Sequence, residues 1–288
     1  MAKISRRALL KAAAVLMGLP NGLVNSVEGK DAGGEQISGR WNPVAGSLES
    51  KFKAYDNRRS YFASRIPDND YVAEIISARE LGGAHMASVD EFLRHESGRY
   101  KIKPDIVLGG GNLDNARVNK NGRKEIAPDG FFMRGKEIMY GFRLNELYSG
   151  VLYVDQSGQL IILPLEQFRQ NMGALNPVDG LQVELLKHGN SNLVSQNPTA
   201  KLEQPRHFMS HGNNLTYSVV MTWVDLTPKW IDWMANSFDA DRVIALRGGH
   251  GAQSMDWLYE KSPQIAGNPT KRLLVNAIAI YSRSRLPK

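Results

Sequence analysis

The chain has 288 residues, with 36 Lys and Arg against 29 Asp and Glu, a formal net charge of +7 and no cysteine. The absence of cysteine excludes disulfides, thiolate metal sites and thiol catalysis. A hydrophobic fraction of 42% and a charged fraction of 23% are ordinary for a globular domain, and they exclude a disordered or collagen-like chain. The positive net charge raises nucleic acid as a class of partner.

Most of this excess positive charge lies in the first 26 residues. They contain four basic residues and no acidic one, so 32 basic and 29 acidic residues remain in the rest of the chain, a net charge of +3. A nearly balanced body argues against nucleic-acid binding, and no nucleic-acid partner is expected.

The N-terminal segment has the pattern of an export signal. An apolar run at residues 12–19 would span only about 12 Å as a helix, which is too short for a permanent membrane anchor. Residues 5–11 (SRRALLK) resemble the twin-arginine signal. Residues 1–26 are therefore predicted to engage the twin-arginine translocase, and the protein to be periplasmic or secreted. Residues 27–60, rich in Gly and Ser without periodicity, are predicted to be a flexible linker.

The rest of the chain predicts many strands and few helices. The predicted strands are 71–77, 105–108, 130–133, 138–142, 150–154, 160–163, 181–186, 215–223, 243–246 and 273–281. Two of them, 150–154 and 160–163, flank a five-residue polar loop, which is typical of a β-hairpin. This pattern predicts an α+β fold with a mixed β-sheet core and few helices.

Two helices have clear start signals. Ser88 and Glu91 form a capping box, which predicts a short helix. Thr227 and Pro228 suit the N-cap and the first position of a second helix, and its apolar residues at helical spacing predict one buried face. Those apolar residues are Ile231, Met234, Ala235 and Phe238.

Three places combine glycine or polar residues with the ends of predicted strands. They are residues 109–114 (GGGNLD), residues 247–254 (RGGHGAQS), and residues 182–184 together with Asn276. Glycine allows a ligand to approach the backbone, and a glycine-rich loop after a strand exposes amide groups to phosphate. Neither loop is a P-loop or a dinucleotide-binding motif, and a tight turn is the alternative reading of each.

A metal site has little support in the sequence. His207 and His211 have a spacing that would place both on one helix face, but the segment HFMSH lacks the Glu of a zinc protease. We interpret them as surface-loop histidines. No cofactor or metal is predicted; a divalent cation is compatible with Asp114 and backbone oxygens, although no ligand cluster requires one.

The order of the segments resembles the phosphodiester glycosidase domain family of the uncovering-enzyme type. The matching segments are VLGGGNLD (107–114), APDGFFMRGKEI (127–138), SGVLYVDQSGQLII (149–162), GLQVELL (180–186), residues 226–255 and VNAIAIY (275–281). They follow the family's order, and the resemblance implies a phosphodiester glycosidase-like domain at residues 70–282.

The resemblance also implies a set of site residues. The expected catalytic residues are Asp114, Glu184 and His250, and the expected substrate-binding residues are Gly110, Gly111, Gln182, Arg247, Gly248, Gly249 and Asn276. Arg247 stands where the family carries an acid. An arginine binds phosphate through two hydrogen bonds but cannot act as a general acid or base.

Two functions follow as expectations. The first is an exported glycosidase, a hydrolase whose substrate is a sugar-1-phosphodiester in envelope polysaccharide or exopolysaccharide, so that its partner is a carbohydrate or sugar phosphate. The alternative, which Arg247 favours, is a catalytically inactive descendant that binds anionic glycan or acts in envelope assembly.

Overall fold

Two β-sheets that pack against each other form the core of the protein. The computed structural model describes residues 41–54, 60–82, 85–96, 99–111, 113–118, 124–144, 148–193, 204–224, 226–248, 257–259 and 273–287. These residues belong to one compact unit, Arg40–Lys288, and the predicted export signal at residues 1–26 lies outside them. Within these ranges, no helix combines the length and the apolar character needed to cross a bilayer.

Strands dominate the described residues. In chain order they are β1 (Asn42–Ala45), β2 (Leu48–Ala54), β3 (Ser60–Pro67), β4 (Tyr71–Ser77), β5 (Ala87–Ser88), β6 (Ile106–Gly109), β7 (Leu113–Val118), β8 (Lys124–Pro128), β9 (Phe132–Arg134), β10 (Glu137–Tyr140), β11 (Gly150–Val154), β12 (Leu160–Pro164), β13 (Asp179–His188), β14 (Ser191–Asn192), β15 (Gln204–Gly212), β16 (Leu215–Val224), β17 (Arg242–Gly248), β18 (Trp257–Tyr259), β19 (Leu273–Leu274) and β20 (Asn276–Ser282). The α-helices are α1 (Val89–Arg94), α2 (Leu165–Leu175) and α3 (Pro228–Phe238), and short 3-10 helices lie at Asp68–Asp70, Ala78–Glu80 and Arg283–Arg285.

The strands form a large and a small sheet. The large sheet has the order β1-β2-β3-β16-β15-β17-β13-β11-β12, with β9, β10 and β14 beside β13, and the small sheet has the order β18-β6-β20-β4. Two further pairs, β19–β5 and β7–β8, stand apart from these sheets. The pairings among the described strands run antiparallel.

Strand β13 shows how the two faces of the large sheet are used. Leu181, Val183 and Leu185 are buried in the main core with residues of the small sheet such as Ile278 and Ile280. Since successive side chains of a strand point to opposite faces, residues 182 and 184 belong to the other face of the large sheet. That face carries a second apolar cluster, in which Phe168 of α2 packs with Val151 and Tyr153 of β11.

Several sequence predictions are confirmed by these elements. The described residues form a sheet-rich α+β fold with three α-helices, β4 spans the predicted residues 71–77, and β11 and β12 pair as the predicted hairpin. The capping box of Ser88 and Glu91 forms at the start of α1. The face of α3 predicted to be buried is buried, although Thr227 makes no side-chain capping hydrogen bond at its N-cap position.

The linker predicted at residues 27–60 is wrong over Asn42–Ala54. This stretch forms β1 and β2 at the edge of the large sheet, and Leu48 is fully buried there. The two strands extend the domain towards the N-terminus beyond the predicted limit of residue 70. Few apolar residues are enough for edge strands, and this explains why the segment lacks an obvious hydrophobic pattern.

The interpretation of His207 and His211 as loop residues is wrong. Both lie on β15, where alternation places them on the same face as the core residue Met209. His207 is only 2% exposed and its Nε2 lies 2.7 Å from the Oγ of Ser218. The Nε2 of His211 lies 2.8 Å from Oδ2 of Asp68. The spacing of four that suits a helix face therefore also suits one face of a strand.

An ion network joins the edge strand β4 of the small sheet to β9 and β13. Asp179, which is fully buried, accepts hydrogen bonds from the backbone amides of Ile75 at 3.1 Å and Gly135 at 2.9 Å. Its oxygens also lie 2.9 Å from a guanidinium nitrogen of Arg99 and 3.2 Å from one of Arg134. The carboxylate therefore pairs an amide on the buried outer edge of β4 that has no neighbouring strand among the described residues to accept from it.

Arg134 is the centre of this network, which we call the Asp179 network and which consists of Glu74, Glu80, Arg99, Arg134 and Asp179. Its Nη2 lies 2.8 Å from Glu80, and its Nη1 lies 2.9 Å from Oε2 of the fully buried Glu74, close in distance but without hydrogen-bond alignment. Burial alone would lower the pKa of Arg134, but the hydrogen bonds to Glu80 and the charges of Asp179 and Glu74 raise it overall.

Candidate functional site

The pairing partner of β13 changes beside Gln182. Along one edge of β13, Gly180 and Leu181 pair with β9, whereas the residues from Glu184 onward pair with β17. The other edge pairs with β11. Strands β9 and β17 therefore meet β13 from the same side and separate at residues 182 and 183. Backbone groups at such a break need other partners, and loops gather there.

The side chain of Gln182 supplies these partners. Its Oε1 accepts hydrogen bonds from the amides of Phe131 at 3.0 Å and Arg143 at 2.9 Å, and its Nε2 donates to the carbonyls of Arg143 at 2.7 Å and Tyr148 at 2.8 Å. These four bonds use the full capacity of a primary amide. Gly130, at φ +98°, fits because a Cβ there would lie 2.7 Å from Oε1 of Gln182. Gln182 thus fixes two neighbouring backbone segments, and its contact with a substrate stays a prediction.

The first glycine loop lies between Gln182 and Asn276 of the small sheet. The amide of Gly111 donates to Oδ1 of Asn276 at 2.9 Å, and a Cβ on Gly110 would lie 1.9 Å from that same oxygen. A Cβ on Gly111 would lie 3.6 Å from the carbonyl oxygen of Gln182. Asn276 is 1% exposed, and among the described residues its Nδ2 has no hydrogen-bond partner. Gly110, Gly111, Gln182 and Asn276 are therefore neighbours.

The hairpin of β7 and β8 brings a further segment to this place. Its base is closed by the pair Leu113 and Pro128, so that the chain entering it, Gly110 and Gly111, runs beside the chain leaving it at Asp129. Both ends of the hairpin also lie against Gln182. Gly111, which precedes β7, lies near its carbonyl oxygen, and Gly130, which follows β8, lies near its side chain.

Asp129 forms a second polar group at this junction. Tyr148 donates a hydrogen bond of 2.7 Å to its Oδ2, and the guanidinium of Arg143 donates to its Oδ1. The side chain of Asp129 is 12% exposed and that of Arg143 is 48% exposed. Sequence analysis missed this group, although an acid directly before a glycine was a usable signal for a turn.

The remaining predicted residues lie along β7, β13 and β17. Glu184 is 8% exposed and pairs with Ala245, two residues before Arg247. The backbone of Asp114 pairs with Ala127. The side chains of Asp114 and Arg247 are not described, and Gly249 and His250 lie outside the described residues.

Two further observations concern charge at this end of the sheet. Gly248 pairs with Arg206 of β15, a residue that sequence analysis did not single out and that is 4% exposed. Keeping an arginine this buried is costly unless its charge is compensated. Across the described ranges, no group of three or more His, Asp or Glu side chains is placed to hold a metal ion.

Comparisons with known proteins give a structural likeness and no sequence likeness. No protein-family model matches the chain, and no curated protein matches its sequence. The fold is similar to the catalytic domain of zebrafish N-acetylglucosamine-1-phosphodiester alpha-N-acetylglucosaminidase, a structure auto-inhibited by its pro-peptide, with a TM-score of 0.57 and 12% identity over 84% of this chain and 85% of that chain. A hypothetical protein from Synechocystis aligns with a TM-score of 0.48 and 10% identity over 82% of this chain and 62% of that chain.

The likeness to the zebrafish structure supports a similar fold for this protein and assigns no role to individual residues. At 12% identity the likeness extends to the arrangement of sheets and helices, which is phosphodiester glycosidase-like. The fold expected from the order of sequence segments is thus supported by a comparison of backbones. The catalytic and substrate-binding roles of individual residues stay predictions.

Proposed function

We propose that the protein hydrolyses a sugar-1-phosphodiester, and that Asn276 binds an oxygen of the phosphate. The observation that carries the proposal is the amide of Asn276. Gly111 fixes its orientation through Oδ1, while its Nδ2 is a buried donor without a partner among the described residues. Leaving such a donor unpaired costs about 1–3 kcal/mol. A substrate oxygen would remove that cost, which is the use expected of an unsatisfied group at a functional site.

The surroundings of Asn276 suit an anionic substrate. The backbone of Gly110 approaches Asn276 so closely that a Cβ there would lie 1.9 Å from its Oδ1, and β17, which pairs with β13 from Glu184 onward, ends at Arg247 and Gly248. Fixed amide donors stabilise developing negative charge because they need no reorganisation during the reaction. The phosphodiester glycosidase-like fold gives this interpretation its context.

The reaction can be written with these groups in their proposed roles. Water adds to the anomeric carbon, the bond from that carbon to the phosphate oxygen breaks, and a phosphate monoester leaves. The proton lost by water passes to a carboxylate, for which Glu184 and Asp114 are the candidates, and the donors at Asn276 and the glycine loop stabilise the leaving phosphate. In an exported protein, as the first 26 residues predict, the substrate would be an envelope polysaccharide or exopolysaccharide.

The test replaces Asn276 by Asp. This near-isosteric change keeps an acceptor for the amide of Gly111, removes the donor and adds negative charge where phosphate would bind. We expect kcat/KM for a sugar-1-phosphodiester, measured by release of free sugar, to fall about 100-fold or more, in line with the loss of one oxyanion donor. Asn171→Asp is the matched control, because Asn171 is exposed on α2 and bonds only to the carbonyl of Gln167.

Two outcomes contradict the proposal. Wild-type protein that releases no sugar from any of a panel of sugar-1-phosphodiesters rules out hydrolysis. Turnover that is equal in Asn276→Asp and in Asn171→Asp excludes the role given to Asn276, provided that both variants unfold at the temperature of the wild type.

A second candidate function is binding of anionic glycan without turnover. It is favoured by Arg247, which stands in place of an acid and cannot transfer a proton at neutral pH. In that case the same substrate panel would bind the wild type without release of sugar, and Asn276→Asp would weaken binding instead of turnover.

A further inference from the structure

Asp129 is held in one orientation by two side chains. Tyr148 donates to one carboxylate oxygen at 2.7 Å and Arg143 donates to the other. Tyr148 is 8% exposed, whereas Asp129 and Arg143 keep 12% and 48% of their side-chain surface exposed. One oxygen of the Asp129 carboxylate is therefore bound by the buried Tyr148, and the other is bound by the partly exposed guanidinium of Arg143.

Gln182 fixes the backbone of both supporting residues. Its amide binds the N–H and the C=O of Arg143 and the C=O of Tyr148, at 2.9, 2.7 and 2.8 Å. A fully satisfied buried amide is thus used to hold the positions from which Arg143 and Tyr148 reach Asp129. An exposed ion pair contributes little to stability, so the free energy of this pair alone gives no reason for so rigid a support. Pre-organised polar groups of this kind reduce the entropy cost of binding a ligand.

The backbone of Asp129 follows the hairpin whose other end leads into the proposed phosphate site. The hairpin of β7 and β8 is closed by Leu113 and Pro128, so Asp129 emerges beside the glycine loop whose amide binds Asn276. A sugar-1-phosphodiester joined to Asn276 through its phosphate would have its sugar ring within a few ångströms of that phosphate, because the two are directly bonded.

We infer that Asp129 and Arg143 bind the hydroxyl groups of the sugar in this substrate, an assignment that rests on the proposed function. The lone pairs of Asp129 that Arg143 and Tyr148 leave unused accept from sugar O–H groups, and the guanidinium of Arg143 donates to a sugar oxygen. Both residues are binding residues that set specificity, and no proton transfer is assigned to them. Tyr148 is a positioning residue that acts through Asp129.

The experiment measures sugar binding directly, apart from turnover. N-acetylglucosamine, glucose and inorganic phosphate are titrated separately into full-length wild type and into Asp129→Asn and Tyr148→Phe, with affinity read from ligand-observed NMR. Asp129→Asn keeps the volume but loses the charge and one acceptor, and we expect sugar affinity to fall about tenfold or more. Tyr148→Phe should lower it by a smaller factor, about threefold, because only the orientation of Asp129 is loosened. Phosphate affinity should not change.

A matched control separates charge from position. Glu166→Gln removes a carboxylate charge from α2, where the side chain is 68% exposed, and should leave sugar affinity unchanged. With a sugar diester as substrate, Asp129→Asn should raise KM more than it lowers kcat, because contacts present in both ground and transition states act on binding.

The outcomes distinguish this inference from the proposed function. Sugar binding that is weakened by Asp129→Asn in a protein without hydrolase activity would support the inference and contradict the hydrolysis. Hydrolysis with sugar affinity and KM unchanged in both variants would overturn the inference and leave the hydrolysis standing. A wild type that binds neither sugar overturns the inference as well. If Asp129→Asn does not fold, Tyr148→Phe provides the test, because loss of its hydroxyl group preserves the packing of the ring.

Discussion

Two polar clusters on β13 are built in opposite ways, although Asp179 and Gln182 are only three positions apart. The Asp179 network uses full charges, three carboxylates and two guanidinium groups, and its members compensate one another across the two sheets. The cluster around Gln182 uses a neutral amide that bonds only to backbone. The first cluster joins elements, and the second positions loops.

The clusters also differ in what they leave open. In the Asp179 network, the buried carboxylate of Asp179 has donors on both oxygens, two of them backbone amides. Beside Gln182, the Nδ2 of Asn276 has no acceptor within the described part of the chain, and Asp129 and Arg143 are partly exposed. Oε2 of Glu74 in the first cluster also lacks an aligned hydrogen bond, but the guanidinium of Arg134 at 2.9 Å compensates its charge, whereas the Nδ2 of Asn276 has no such counter-group among the described residues. This contrast is the basis for the hypothesis that the first cluster serves stability and the second serves binding.

Replacing Arg134 by Met is expected to give the largest effect on stability. Without its charge, buried Glu74 and Asp179 lose their shared cation, and breaking a buried ion pair from one side costs about 3–5 kcal/mol. Urea unfolding at neutral pH should show this loss in the free energy of unfolding. At temperatures where the variant is folded, its affinity for the sugar probe should equal that of the wild type.

The control is Arg94→Met, which removes an ion pair with Asp90 on α1 whose arginine side chain is 75% exposed. It should cost at most about 0.5 kcal/mol. If Arg134→Met were no more destabilising than Arg94→Met, or if it abolished sugar binding, the division between a stability cluster and a binding cluster would fail.

Gln182→Glu should be the next largest change, and it should affect both properties. A carboxylate accepts from Phe131 and Arg143 but cannot donate to the carbonyls of Arg143 and Tyr148, which would lose their partner in a buried site. Each such loss costs about 1–3 kcal/mol, so we expect about 2–6 kcal/mol in all. Sugar affinity should fall as well, since the backbone that holds Arg143 is released.

Gln167→Glu on the exposed side of α2 serves as the comparison for Gln182→Glu, and a surface change of this kind stays within about 0.5 kcal/mol. Faster hydrogen exchange at the amides of Phe131 and Arg143 would show that the loops are the part released. Unchanged exchange at both amides would contradict the positioning role of Gln182.

The sequence predicted best those elements whose signals are local. The capping box of α1 is contained in four residues, and the β11–β12 hairpin follows from two apolar runs around a polar loop. Strand β15 was not predicted, and His207 and His211 were interpreted as surface-loop residues although a spacing of four also fits one face of a strand. Antiparallel pairing could not be predicted either, since strands buried on both faces are continuous apolar runs whatever their direction.

The candidate site depends on contacts that no local pattern encodes. The hydrogen bond from Gly111 to Asn276 spans 165 positions, and the bonds from Gln182 reach residues 34 and 51 positions away. The family resemblance selected Gly110, Gly111, Gln182 and Asn276, which are indeed neighbours. It did not select Asp129, whose partners Arg143 and Tyr148 are bound through their backbone by Gln182.

The smallest effect expected comes from a pair of single-methyl changes in one loop. A Cβ on Gly110 would lie 1.9 Å from Oδ1 of Asn276, so Gly110→Ala must displace the amide, at a cost of about 1–3 kcal/mol typical of overpacking. A Cβ on Gly111 would lie at an ordinary 3.6 Å from its nearest neighbour, and neither glycine has a positive φ. Gly111→Ala should therefore be nearly neutral in urea unfolding.

The same pair separates stability from function at the binding cluster. Displacing Asn276 moves its Nδ2 donor, so Gly110→Ala should lower turnover of a sugar-1-phosphodiester, or its affinity, by more than the loss of stability alone explains. Gly111→Ala keeps the hydrogen bond to Asn276 and should retain most of that activity. Equal losses of activity in Gly110→Ala and Gly111→Ala would mean that the loop tolerates a methyl group at neither position. The close contact of Gly110 with Asn276 would then have no specific part in positioning the Nδ2 donor.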